Sequence, residues 1–157
     1  MCVTYWRPAG DMELGIMAKR QGNRPDRRIL PAGAVQAAFL QKLALRVQYE
    51  GSSHHKLRPG DYGLSPPSNP RPSKSLCDDV RPILLAEAIE LLRAGIAKGM
   101  ISKPDIDGMP KYIWAVDGHG EAYEAKRGGA KPIDYHGYRL SDADPQRKVV
   151  LGEWKSR

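Results

Sequence analysis

The chain has 157 residues and a formal net charge of +7. That length suits one domain, or one small domain with a tail, and that charge points to an acidic partner, nucleic acid first. Two distant cysteines, Cys2 and Cys77, give neither a disulfide framework nor metal-ligand spacing. No apolar run approaches the ~20 residues of a membrane span. The expectation is a cytoplasmic protein with no cofactor, no metal ion and no membrane partner.

Met1 to Ile16 carries acidic and aromatic residues and does not read as a secretory signal. Met17, which opens Met17-Ala18-Lys19-Arg20, reads as an alternative start. Lys19 to Arg28 holds five cations against Asp26, with Gly22 and Pro25 among them. Residues 1–30 are therefore expected to be a basic, flexible arm, either a nucleic-acid-contacting tail or a solvated linker. Residues 31–157 are expected to form a single domain.

Within that domain, Val35, Ala38, Phe39, Leu43 and Val47 recur at helical spacing and predict a helix over 34–47. Next comes Tyr49-Glu50-Gly51-Ser52-Ser53-His54-His55-Lys56-Leu57-Arg58-Pro59-Gly60-Asp61-Tyr62-Gly63-Leu64, which holds two of the four histidines. Residues 65–73 contain Pro66, Pro67, Pro70 and Pro72, which exclude helix and central strand and predict a stiff, extended connector. Leu85, Ile89, Leu92 and Ile96 predict a second helix over about 84–98, closed by Gly99. Residues 111–117 and 121–126 read as a hairpin with Gly118-His119-Gly120 at its tip, and 134–140 as a third strand. Asp144-Pro145 predicts the start of a short C-terminal helix reaching toward Trp154. The fold class expected is α+β: two helices, then a small antiparallel sheet, then a short helix.

The chemistry concentrates in the His54–Arg58 loop and around Tyr135, His136 and Tyr138. Metal-free RNA cleavage needs a base for the 2′-hydroxyl, an acid for the leaving oxygen and cations for the phosphate charge. His54, His55, Lys56 and His136 supply residues of those types, with His55 and His136 as the acid–base pair. Arg58, Tyr62, Lys111, Trp114, Tyr135 and Tyr138 are the candidate substrate contacts, and Lys126, Arg127 and Lys131 add cations to the sheet region. In strand 134–140, His136 and Tyr138 share one face and Tyr135 takes the other. The plainer alternatives are a solvated polar loop, a structural His136, and Tyr112, Trp114 and Tyr123 as core packing. Walker, serine-hydrolase and zincin motifs are absent from the sequence.

The string Glu50-Gly51-Ser52, His54-His55-Lys56, Pro59 to Leu64, Pro70-Arg71-Pro72, Leu76-Cys77-Asp78, Ile113 to Val116 and Tyr135 to Tyr138 resembles a family of small uncharacterised bacterial proteins, over more than half the chain. More distantly, Lys56 followed by Asp61-Tyr62-Gly63 is similar to the His/Lys-Asp-Phe-Gly segment of the colicin D-type tRNases, of the barnase–RelE–EndoU-like class. That resemblance implies a catalytic Lys56 with His54 or His55, and His136 or Trp114 near the substrate. The proline-rich connector departs from the colicin D pattern. The function expected is a metal-independent endoribonuclease, a toxin or defence effector acting on tRNA or other structured RNA, with an acidic inhibitor or immunity protein as partner. The alternatives are a non-catalytic nucleic-acid-binding module and a protein-interaction protein using Pro66 to Pro72.

Overall fold

The computed structural model describes residues 24–128 and 130–157. Among these residues the fold is α+β, with three α-helices and one four-stranded sheet. In chain order come α1 (Ala37–Arg46), β1 (Gln48–Tyr49), α2 (Leu85–Ala97), β2 (Tyr112–Val116), β3 (Ala122–Arg127), β4 (Asp134–Arg139) and α3 (Pro145–Ser156). The first helix starts later than expected because Gln36 is still extended (φ −66°, ψ 141°). The third begins where Asp144 accepts a hydrogen bond from the Gln146 amide, with Pro145 in its first turn.

The sheet is not purely antiparallel, and the strands do not all follow the helices. β2, β3 and β4 form the expected antiparallel meander, but β1, which lies between the first two helices, adds to the free edge of β4 in parallel. The pairs are Gln48 with Asp134 and Tyr49 with Tyr135. A two-residue strand carries no readable alternation, and a parallel partner across the sequence carries no hairpin signal.

The register sorts the sheet into two faces. Ile113, Ala125 and Tyr135 pack with Leu43, Leu92 and Ile96 of the first two helices. Trp114, Val116, Ala122 and Tyr138 pack with Val150 of α3 on the opposite face. α3 meets mainly β2 and β3 there, and β4 is also met by a 3-10 turn at Ser53–His55.

The arm does not stay apart from the domain over its whole expected length. Pro25–Arg27 forms a 3-10 turn, Arg27 is 3% exposed, and the Leu30 amide donates to the Ile101 carbonyl. Residues 1–23 lie outside the described residues, as does the alternative start at Met17.

Candidate active site

The site is built at the edge of β4. After Tyr49 the amides of Glu50 and Gly51 both donate to the Tyr135 carbonyl. Gly51 then turns the chain with φ +73°, and a Cβ there would sit 2.7 Å from the Tyr62 ring, so a side chain is excluded twice over. The next residues, Ser53–His55, form a 3-10 turn. Successive side chains on such a turn point about 120° apart, which separates the adjacent histidines, and Lys56 leaves the turn in extended backbone (φ −120°, ψ 132°).

His55 turns inward and is 4% exposed. Its ring stacks on His136 at 5.1 Å between centroids and 16° between planes, and lies 4.9 Å from the Tyr138 ring. Thus the two histidines proposed as an acid–base pair converge, one from the loop and one from the sheet. The end of the proline-rich connector fixes His55. Its Nδ1 is 2.6 Å from the Ser75 carbonyl oxygen, and its own carbonyl accepts from the Cys77 amide at 2.8 Å. A carbonyl only accepts, so Nδ1 carries the proton in that bond and Nε2 is the basic nitrogen of the neutral ring. His136 is placed likewise, with Nδ1 3.2 Å from the Gly128 carbonyl. A Cβ on Gly128 would come within 2.8 Å of the His136 ring, so this glycine lets the ring lie flat against the chain.

Both histidines line a polar cavity of about 150 Å³. Lys126, paired with His136 across the sheet, lies on its wall, as do Lys74, Arg24 and Arg27. Tyr112, Tyr138 and Glu124 complete it. Glu124 is 1% exposed and sits at the centre of a buried network. It accepts from Arg27 Nε at 2.7 Å, from Trp114 Nε1 at 2.8 Å and from the Tyr138 hydroxyl. Arg27 also pairs with Asp144 at 2.8 Å. Burial disfavours the Arg27 charge, but the hydrogen bond to Asp144 and the pairing with Glu124 outweigh it and raise its pKa.

The remaining candidates are placed elsewhere. Lys56 points into the protein: its ammonium donates to the Ile83 carbonyl at 2.8 Å, pairs with Asp78 at 3.3 Å and lies 3.8 Å from the centre of the Tyr62 ring. This corrects its expected catalytic role, because the cation and its counter-ion are 1% exposed and compensate each other. The same pairing removes the lysine role implied by the colicin D-type resemblance. Asp78 also accepts from the Leu57 and Arg58 amides and so ties down the loop. His54 is exposed and lines a different, proline-walled groove. Arg58 is exposed and does not line the histidine cavity.

Tyr62 supports Lys56, Tyr135 is 1% exposed on the helix-covered face, and Trp114 is fully buried with its indole N–H on Glu124. Tyr135 and Trp114 cannot meet a substrate directly, because aromatic residues on these strands fill the core, and half-buried Tyr62 does not line the histidine cavity. Lys111 pairs with Asp26 at 2.6 Å beside the cavity residue Tyr112. Of the substrate contacts expected, Tyr138 alone lines the cavity with the histidines. His119 is an exposed turn residue whose amide donates to Asp117.

Sequence reasoning passed over Glu124, Lys74, Arg24 and Arg27 as site residues. Glu124 carried a usable signal, a carboxylate in mid-strand between Tyr123 and Ala125; buried acids are rare unless paired. Among the described residues no group of three His, Cys, Asp or Glu side chains could hold a metal ion, and no helix is long and apolar enough to cross a membrane. No family model, curated protein or solved structure matches the chain.

Proposed function

We propose that the protein is a metal-independent endoribonuclease acting on tRNA or another structured RNA, with His55 and His136 as its acid–base pair. The observation that carries this reading is the stacked pair of imidazoles in a cavity walled by lysines and arginines. One imidazole, neutral, takes the proton from the 2′-hydroxyl as that oxygen attacks phosphorus. The other, protonated, gives its proton to the 5′-oxygen as the P–O5′ bond breaks. The products are a 2′,3′-cyclic phosphate and a 5′-hydroxyl. Lys126, Lys74 and Arg24 balance the added negative charge on the phosphoryl oxygens.

Tyr138 and Glu124 are positioning residues in this scheme. The Tyr138 ring sets the plane of His55, and Glu124 holds the Tyr138 hydroxyl. Among the described residues, Lys74, Lys126, Arg24, Arg27, Glu124, Tyr112 and Tyr138 line the cavity with the histidines. The basic cavity suits a toxin or defence effector restrained by an acidic inhibitor protein in the cytoplasm. The colicin D-type resemblance agrees with the reaction class, though not with a catalytic Lys56.

The test is incubation with total tRNA in EDTA, beside His55→Ala and His136→Ala. The expected result is cleavage by the wild type, fragments ending in 2′,3′-cyclic phosphate, a bell-shaped rate profile, and losses of about 10²-fold or more in each variant. Intact tRNA between about pH 5 and pH 9, with folded protein, would refute it. Salt-sensitive RNA binding without cleavage would transfer the reading to a nucleic-acid-binding module.

A further inference from the structure

The turn that sends His55 into the sheet sends His54 the other way, into a second concavity of about 410 Å³. That volume is within the usual range of small-ligand sites. One wall is the proline-rich segment, with Pro66, Pro67, Pro70 and Pro72; Leu57 and Leu76 add apolar surface. Lys74 lines both this groove and the histidine cavity, so the two concavities adjoin. Among the described residues the groove's polar lining is His54, Arg71, Lys74 and Ser53, while Lys56 contributes only its stem, its ammonium being turned inward onto Asp78.

We infer that this groove binds one unpaired nucleotide of the RNA strand, next to the phosphate presented to His55 and His136. The inference rests on the ribonuclease reading and specifies its substrate: a single-stranded segment, such as a loop. Three observations support it. His54 and Arg71 are exposed planar groups at the groove, of the kinds on which splayed bases stack. Arg71 and Lys74 beside Leu57, Leu76 and the prolines give the groove cationic and apolar surface, complementary to a base attached to a phosphate. The proline wall is held in place, since the Lys74 amide donates to the Arg71 carbonyl and the segment ends on His55 through Ser75 and Cys77; a preformed wall lowers the ordering cost of binding. Lys74, at the junction, is placed to hold the phosphate linking the two sites. A base-paired nucleotide cannot use the groove, because its base is stacked within a helix. The proline segment thereby becomes a substrate-selecting wall rather than a spacer.

The probe is a fluorescent single-stranded 2′-O-methyl RNA oligomer, which binds but lacks the attacking hydroxyl. Its affinity is measured by anisotropy for the full-length wild type, for His54→Ala/Arg71→Ala, and for Leu57→Asp, all at exposed positions. The expected result is about tenfold weaker binding in each variant, with a duplex of the same sequence a poor competitor. Binding by both variants within about twofold of wild type, equal competition by the duplex, or no binding by the wild type would each overturn the inference. The parent reading fails separately: a wild type that binds the probe in this groove yet leaves the all-ribose oligomer whole keeps the nucleotide site and loses the ribonuclease.

Discussion

Removing the Glu124 carboxylate tests the centre of the site most directly. Glu124 and Arg27 are an ion pair with side chains 1% and 3% exposed, 2.7 Å apart. Breaking such a pair on one side costs about 3–5 kcal/mol, because the remaining charge stays buried. Arg27 retains Asp144 at 2.8 Å, which puts this term near the lower limit, at about 3 kcal/mol. Glu124→Leu also strips the acceptor from the Trp114 indole N–H, adding about 1–2 kcal/mol. The expected total is about 4–5 kcal/mol, or roughly 12 °C in Tm for a chain of this size. Glu124→Gln keeps an acceptor and is expected to lose about 2–3 kcal/mol. Urea denaturation at constant m-value reads both. Adding Arg27→Met to Glu124→Leu removes the stranded cation and is expected to recover at least about 2 kcal/mol as a coupling energy. A Glu124→Leu loss below about 1 kcal/mol, or no coupling with Arg27→Met, would refute the argument that this network holds the arm and the Tyr138 side of the cavity together.

Lys56→Met is expected to lower stability by about 3 kcal/mol by stranding Asp78, while the folded fraction keeps its kcat; a kcat loss beyond tenfold at constant fold would return Lys56 to the chemistry. Burial works against the Asp117 charge, but hydrogen bonds from the Glu121 and His119 amides, Arg81 and Tyr123 outweigh it and hold its pKa below the usual value. A depressed folded pKa contributes stability above the unfolded value near about 4, lost as pH falls through the folded one. Asp117→Asn should therefore flatten the acid limb of a stability–pH curve, and an unchanged limb would count against it. Burial pushes the Cys77 thiol up to about 11, so in a Cys2→Ser background its alkylation at pH 8 should be roughly a hundredfold slower than in urea; equal rates would show an open pocket around it. Gly128→Ala should displace the His136 ring and shift its imidazole NMR signals, with cleavage reduced about tenfold or more and Tm nearly unchanged; unmoved signals would show that the backbone yields instead.

The helices and the meander were legible because Leu85, Ile89, Leu92 and Ile96, or Tyr112 to Val116, carry their period in consecutive residues. The convergence of His55 and His136 was legible only as chemistry. Its geometry depends on Tyr49 pairing in parallel with Tyr135, a contact with no local signature. Arg27 was misread for a related reason. In sequence it belongs to a basic run, and its partner Glu124 is 97 positions away. Lys56 looked catalytic because it follows two histidines. Its direction is set by the extended backbone that ends the 3-10 turn and by the pairing with Asp78, and neither composition nor motif spacing reports these.

The same pairing explains why the chemistry is at one end of one sheet face. β1 is two residues long, so it covers β4 only as far as Tyr135. Beyond it the Gly137 amide is taken by the Tyr49 hydroxyl, and the Arg139 amide by the Leu76 carbonyl. The edge of β4 is thus closed in turn by β1, a tyrosine side chain and the end of the proline segment. A longer β1 would have carried the chain past His136 as regular strand and left no turn to bring His55 over it. Stopping at Tyr49 and reversing at Gly51 puts the 3-10 turn against β4, where His55 stacks on His136. The returning connector then fixes His55 through Ser75. A short edge strand, normally a device against sheet-to-sheet association, is here what makes room for the paired imidazoles.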